Sequence, residues 1–304
     1  MKNKYSIVVP VYNSEDSLTE LCNRIHKTFI KIKQDYEIIL VDDCSKDNSW
    51  TIMNQLNKKN RKIKVIQLMK NFGQNSALMC GFNHARGDYI ITIDDDLQNP
   101  PEELPKMINK INQGYDVVYG VYRKKKHNIF RNAGSIIGKK FFSKVSGIKF
   151  NVTSFRIFTK KVRNEIIKFD SYNVNVNVLL AYISNKVGRC FVKHKKREHG
   201  MTNYSLNKLI RYTLDLIFNS TIFPLRLATL FGLIFSTISF IISLYFIMQY
   251  YFNNIIVGGF TSTILSITFL SGIILLIIGI IGEYIGRIFL TLHKKPQYII
   301  RQTK

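Results

Sequence analysis

Residues 91–103 read ITIDDDLQNPPEE, an apolar run that ends in three consecutive carboxylates. Ile90, Ile91 and Ile93 have the character of a buried strand, which predicts a strand over residues 89–94 with Asp94 and Asp96 at its end. Two residues apart on an extended backbone, their side chains share one face and can share one ion. Mg2+ and Mn2+ favour oxygen ligands, typically one or two carboxylates completed by phosphate oxygens and water. Gln98 adds a carbonyl oxygen close by. A lone DxD triplet is more often a plain acidic turn, because Asp favours turns, so the surrounding chain has to decide.

Outward from that stretch the chain alternates. YSIVVPVYN, residues 5–13, starts a strand at once and leaves no room for a signal peptide. Leu18, Leu21, Ile25 and Phe29 recur at helical spacing within residues 15–33, and a second strand from residue 36 ends in Asp42 and Asp43. Helices are expected over residues 47–60, 74–86 and 102–113, and strands over 64–68, 89–94 and 116–121. Strand, helix, strand implies parallel pairs, and the whole series a doubly wound α/β domain. Ligands of such sheets bind beyond the carboxyl ends of the strands, where Pro10, Tyr12, Asp42, Asp43, Asp94 and Asp96 all fall. No GxGxxG follows the first strand, so a metal rather than a glycine-rich loop is expected to hold a diphosphate. A nucleotide sugar fits that description.

These residues resemble the inverting nucleotide-sugar glycosyltransferases of family two, and more closely the subgroup that loads sugars onto polyprenyl phosphate. The likeness runs through VVPVYN, VDDCSKDNS, NFGQNSALMCGF, ARGDYIITIDDDLQNPPEELP, TSFRIF, REHGMTNYS and GEYIGRI, in that order. It implies a GT-A-like catalytic fold and transfer of one sugar from a nucleotide donor, a UDP-sugar above all, with inversion at the anomeric carbon. It further implies that Pro10, Tyr12 and Asp43, with Asp42 beside them, line the nucleotide. Asp94, Asp96 and Gln98 would hold Mg2+ or Mn2+, and the catalytic residues would be Asp96 through that metal, Arg123 meeting the donor and Arg197 clamping phosphate. Three positions depart from the family pattern: Ser14 stands where many relatives have Glu, Asn203 where they often have Lys, and Ser154 where some carry an Asp proposed as catalytic base. A phosphate monoester is mostly dianionic at neutral pH, so the acceptor needs positioning more than deprotonation. Processive polysaccharide synthases usually carry a QxxRW motif, absent here, since the single Trp is Trp50 in DNSW. A catalytically silent nucleotide-binding scaffold is the other alternative, and the intact Asp94, Asp96 and Gln98 argue against it.

No Asp, Glu, Lys or Arg occurs from residue 227 to 282. Residues 227–251 and 261–282 are each near the roughly 20 residues that cross a bilayer, which predicts a helical hairpin. Lys208, Arg211 and Arg226 precede it and Arg287, Lys294, Lys295, Arg301 and Lys304 follow it, so the positive-inside rule places both ends and the catalytic domain in the cytoplasm, at the plasma membrane. Residues 204–220 carry Leu206, Leu209, Ile210, Leu214 and Ile217 on one face, the pattern of an interfacial helix. The expected organisation is a catalytic domain over 1–200, an interfacial region over 201–222, a hairpin over 223–286 and a basic cytoplasmic tail over 287–304. With 44 Lys plus Arg against 20 Asp plus Glu, anionic partners are expected: nucleotide diphosphate, lipid phosphate and acidic headgroups. Nucleic acid is excluded by the tandem spans and the metal-type carboxylates, and homo-oligomerisation is left open. Four cysteines without a CxxC pair read as reduced thiols.

Overall fold

Three central strands, β1 (Lys4–Val11), β2 (Asp35–Asp42) and β3 (Ile63–Leu68), are apolar on both faces, as strands covered by helices on two sides must be. Tyr5, Ile7 and Val9 join Ile38, Leu40 and Val65 in one core, while Val8, Ile39, Val41 and Ile66 point into the other. Against the first core lie α1 (Leu18–Lys31), α2 (Ser49–Lys59) and α4 (Leu104–Ile111). The second is covered by α3 (Gln74–His84), α5 (Lys160–Ile166) and α6 (Val176–Ile183). Burying each such aliphatic side chain contributes roughly 1.5–3 kcal/mol. Contact is tight enough that a Cβ on Gly81 of α3 would overlap Val8 of β1.

The computed structural model describes residues 4–122, 152–170, 174–193, 223–253, 259–292 and 296–304. They form two units, residues 1–203 with 294–304, and residues 204–293. Remaining strands of the first unit are β4 (Tyr89–Thr92), β5 (Val117–Tyr122), β6 (Arg156–Thr159), β7 (Val187–Val192) and β8 (Ile300–Thr303). The sheet order is β7-β5-β6-β4-β1-β2-β3-β8. The predicted parallel core is present, with β1 paired to β2 and β4, and β2 to β3.

Two strands correct the sequence-based picture. The alternation puts β5 directly beside β4, whereas β6 lies between them, antiparallel to both. Its four residues are too few for a periodic signal, although Ile157 turns to one core and Phe158 to the other as a strand requires. The second correction concerns the expected basic tail. Its last residues form β8, antiparallel to β3, and the terminal Lys304 exchanges both backbone hydrogen bonds with Val65 at 2.9 and 3.0 Å. Ile300 and Gln302 are half-buried while Arg301 and Thr303 are exposed. That alternation was hidden beneath the charge count, and it covers an edge that β3 would otherwise expose.

In the second unit, α7 (Phe223–Asn253) has 31 residues and α8 (Phe260–Leu292) has 33. At about 1.5 Å per residue each is longer than the hydrocarbon core of a bilayer. Phe235 and Phe269 meet edge to face at 5.9 Å. Among the described residues one stretch, Phe269–Gly286 with mean hydropathy 2.1, is long and apolar enough to cross a membrane, and α7 contributes the shorter apolar run Leu225–Phe235. All four cysteines are free. The expected interfacial helix, Arg123, Arg197 and Asn203 lie outside the described residues.

Candidate active site

Pro10 is tolerated in the central strand β1 because β4 pairs with β1 only up to the Val8 and Thr92 register, and backbone groups alternate sides along a strand. Val8 accepts from Ile93 N–H on the β4 side and Val11 from Asp43 N–H on the β2 side, so the missing N–H of Pro10 points past the end of β4. The chain leaves the sheet there. Tyr12 is 42% exposed and its N–H donates to Asp95 Oδ2 at 3.1 Å.

The acidic triplet itself is a turn. β4 stops at Thr92, Leu97 adopts a left-handed φ of 58°, and Gln98 N–H donates to Asp96 Oδ1 at 3.2 Å. Asp94 and Asp96 are therefore not neighbours on an extended strand face, as the sequence reading has them. They are brought together by the turn. Asp95, the middle residue, is held by Tyr12 N–H and the Ser14 hydroxyl, and its carbonyl accepts from Ser17 Oγ at 2.5 Å. Asp94 accepts from Gln74 Nε2 at 2.7 Å and from the Ser154 hydroxyl. Five elements thus meet at this turn: the ends of β1 and β4, the start of α3, the segment entering β6, and β5 through Tyr122.

Electrostatics follow from crowding half-buried carboxylates into one turn. Burial pushes the Asp94 carboxyl up, opposed by the Ser154 hydroxyl, with the Asp96 charge adding to the rise and the Arg156 guanidinium opposing it. Burial likewise pushes Asp95 up to about 6, against the hydrogen bonds from Ser14 and Tyr12. Tyr122 is raised to about 12 by burial and by the fields of Asp94 and Asp96, and its hydroxyl donates to Asn99 Oδ1 at 2.5 Å. These groups suit a hard cation. Each Asp94 oxygen accepts one donor and keeps a second lone pair. Among the described residues no three acidic, His or Cys side chains form a complete ligand cage. A cation here would draw its other ligands from phosphate and water, as Mg2+ usually does.

The two remaining predicted residues face the protein. Asp42 is fully buried, accepting from Ser45 N–H and Gln67 Nε2, both at 3.0 Å. Asp43 is 3% exposed and accepts from Phe72 N–H at 2.7 Å and Gly73 N–H at 2.8 Å, so it fixes the start of α3, which carries Gln74. Burial raises Asp43 to about 6 against those two bonds, with Asp42 adding to the rise. The loop after β2 is stitched to the loop after β1: Asn13 N–H donates to Ser45 Oγ at 3.0 Å, Lys46 N–H to Asn13 Oδ1 at 2.8 Å, and Ser14 N–H to Ser49 Oγ at 2.8 Å.

Sequence reasoning missed Gln74, Tyr122, Asn99 and Arg156 as members of this assembly. Arg156, in the TSFRIF segment, is 2% exposed and donates to Thr92 Oγ1 at 3.1 Å and to Asn177 Oδ1, locking β6 to β4 and α6 beneath the turn. Its neighbour Ser154 and Ser14 had been visible only as departures from a pattern. Both now prove to touch the acidic triplet.

Residues 6–168 match the family model described as glycosyl transferase family 2. The undecaprenyl-phosphate 4-deoxy-4-formamido-L-arabinose transferase of Proteus mirabilis (strain HI4320) is 34% identical over 305 residues, covering 99% of this chain and 94% of that protein. The uncharacterized glycosyltransferase YkcC of Bacillus subtilis (strain 168) is 33% identical over the same shares of the two chains. Among solved structures, glucosyl-3-phosphoglycerate synthase from Mycobacterium tuberculosis with Mn2+, UDP and glucosyl-3-phosphoglycerate aligns with a TM-score of 0.52. It covers 71% of this chain and 78% of that one at 15% identity, a likeness of fold alone. A match that spans the parallel core, the acidic turn and β6, extended by relatives over nearly the whole chain, makes this protein a member of glycosyltransferase family 2.

Proposed function

We propose that this glycosyltransferase moves one sugar from a nucleoside-diphosphate sugar, a UDP-sugar first among them, to polyprenyl phosphate, with inversion. The observation that carries the proposal is the acidic turn of Asp94–Asp96 at the carboxyl ends of the central strands, in a chain similar from end to end to undecaprenyl-phosphate sugar transferases. Asp94, Asp96 and Gln98 would hold Mg2+ or Mn2+, which when bound offsets the charge of the departing diphosphate. Tyr12 and the backbone at Pro10 and Asp43 border the nucleotide. Arg123, directly after β5, and Arg197 would engage phosphate oxygens, a task for which the planar guanidinium fork is suited.

The nucleophile is a phosphate oxygen of the lipid. It attacks the anomeric carbon as the bond from that carbon to the diphosphate oxygen breaks, and the electron pair leaves with the nucleoside diphosphate. Configuration inverts. Because the acceptor is already ionised at neutral pH, no side chain has to remove a proton. Ser154 accordingly orients Asp94 through its hydroxyl instead of serving as a base.

The acceptor class is supported by the second unit. Leu233, Phe240, Leu275 and Leu292 are each at least 65% exposed, a surface suited to lipid rather than water. We take α7 and α8 as a two-span hairpin, preceded by an interfacial helix over 204–220, with the catalytic unit and both chain ends cytoplasmic. A segment that leaves the catalytic unit before α7 and returns to it as β8 must cross a bilayer an even number of times.

The deciding experiment incubates membranes carrying the protein with a panel of nucleotide sugars and undecaprenyl phosphate, then weighs the lipid product. A sugar-phosphate-lipid mass that depends on one donor is expected. Transfer to a soluble acceptor in preference to lipid, or nucleotide binding with no turnover on any donor, would overturn the proposal.

A further inference from the structure

Asp42, Gln67 and Gln302 stand in one row across three neighbouring strands. Asp42 of β2 pairs in register with Gln67 of β3, and Gln67 with Gln302 of β8. Their side chains are bonded in the same order: Gln302 Nε2 donates to Gln67 Oε1 at 2.9 Å, and Gln67 Nε2 donates to Asp42 Oδ2 at 3.0 Å. Chemistry forces this direction. A carboxylate accepts only, so Gln67 must turn its NH2 group to Asp42; its oxygen then faces β8, and whatever stands there has to be a donor. Asp42 is 0% exposed and Gln67 8%, so neither has water as an easy substitute.

The row does not end at Asp42. Its other oxygen accepts from Ser45 N–H at 3.0 Å, and Ser45 Oγ accepts from Asn13 N–H at 3.0 Å. The neighbouring Tyr12 N–H holds Asp95 of the acidic turn. An unbroken line of hydrogen bonds and peptide units therefore runs from the strand that follows the apolar helices to the two loops bordering the donor. Without a donor at position 302, the Gln67 amide stays turned to Asp42 but its half-buried oxygen loses its partner, which loosens the Gln67 bond to Asp42 and with it the carboxylate that holds Ser45.

We infer that Gln302 is a positioning residue for the donor nucleotide site, acting through Gln67 and Asp42 on the loop after β2. The inference rests on the donor site proposed above. It assigns the returning strand a part in donor binding beyond covering the β3 edge: an enzyme whose β8 is not seated holds its donor loops loosely.

The test uses the full-length protein in detergent and measures the Kd of the nucleoside diphosphate, UDP, GDP or dTDP, that the wild type binds with Mn2+. Gln302→Lys still presents a donor to Gln67, whereas Gln302→Leu presents none and Gln302→Glu presents an acceptor. Leu and Glu variants are expected to weaken binding about threefold to tenfold, the worth of one neutral hydrogen bond, with the Lys variant within about twofold of wild type. Arg301→Leu, which alters the adjacent residue of β8 and its bond to the Met69 carbonyl at 3.2 Å, should leave Kd unchanged. Sugar transfer at saturating donor is expected to keep its kcat in all four. Equal losses in the Lys, Leu and Glu variants, or equal losses at positions 301 and 302, would reduce β8 to a structural strap. Unchanged Kd in the Leu variant would remove the inference while leaving the donor site intact. A wild type that binds no nucleoside diphosphate would remove both.

Discussion

Three adjacent carboxylates divide the acidic turn among them: Asp95 is bound by the β1 loop, Asp94 by Gln74 and Ser154, and Asp96 closes on the Gln98 amide. An Asn at position 96 keeps a carbonyl for that amide but removes a negative charge. Asp96→Asn is therefore expected to melt close to wild type while losing transfer at least about a hundredfold, the scale of a lost electrostatic stabiliser. Near-normal activity alongside normal melting would sink the metal assignment. Asp43 gives a second expectation. Burial raises its carboxyl to about 6, above the value of about 3.9 for an unfolded Asp. The folded state thus holds the proton more tightly, and the resulting stability is fully present below the unfolded value and lost as pH rises through about 6. Between pH 7 and pH 5 the wild type should gain roughly 1 kcal/mol over Asp43→Asn, which has no proton to bind. Urea midpoints of both proteins at the two pH values measure it, and a constant gap would contradict it. At this scale the sequence revealed which residues gather at the strand ends but not which way they face. Beside the local Ser45 N–H, Asp42 and Asp43 accept from Gln67, Phe72 and Gly73, partners 25 to 30 positions away that no local spacing announces.

Among the elements, β8 changes how the catalytic unit can be dissected. A chain ending before residue 204 looks complete from its helical and strand periodicity, yet it lacks the strand that pairs with β3 from Ile66 to Leu68. Its unpaired edge would present backbone N–H and C=O groups and the packing surface left by Ile300, an invitation to edge-to-edge association. Residues 1–203 alone are accordingly expected to aggregate or melt well below the same chain with residues 296–304 rejoined through a flexible Gly/Ser linker. Thermal melting and gel filtration of the two proteins decide the matter, and equal behaviour would make β8 dispensable. The long periodic elements were legible because their signal repeats: α1 buries Leu18, Leu21, Ile25 and Phe29 at the spacing read from the sequence. β6 and β8 were not, because each has four residues and its partner lies far along the chain. Neither was the turn at Asp94–Gln98, since a DDD run permits both a strand end and a turn, and only the positive φ of Leu97 distinguishes them.

For the whole molecule, the return of the chain as β8 constrains topology independently of charge. α7 departs from the catalytic unit and α8 leads back to it, so both helices cross or neither does. With the catalytic unit cytoplasmic, as proposed from the charge asymmetry, the link between Asn253 and Phe260 is expected on the outer face if the hairpin spans. The native thiols set the background of a cysteine-labelling test: Cys22 and Cys80 are buried, and burial pushes both thiols up to about 12, far from the reactive thiolate. All four native cysteines are also in the catalytic unit. In intact cells, an impermeant maleimide added outside is expected to label Asn253→Cys while leaving the wild type and Arg301→Cys unlabelled, and all exposed sites should react after the membrane is opened. Labelling of Arg301→Cys from outside would invert the orientation. Protection of Asn253→Cys until lysis, with the protein still in the membrane fraction, would instead place both helices along the inner surface. That outcome would preserve the even-crossing rule, since zero is even, but would leave the lipid acceptor to be gathered from one leaflet without a spanning anchor.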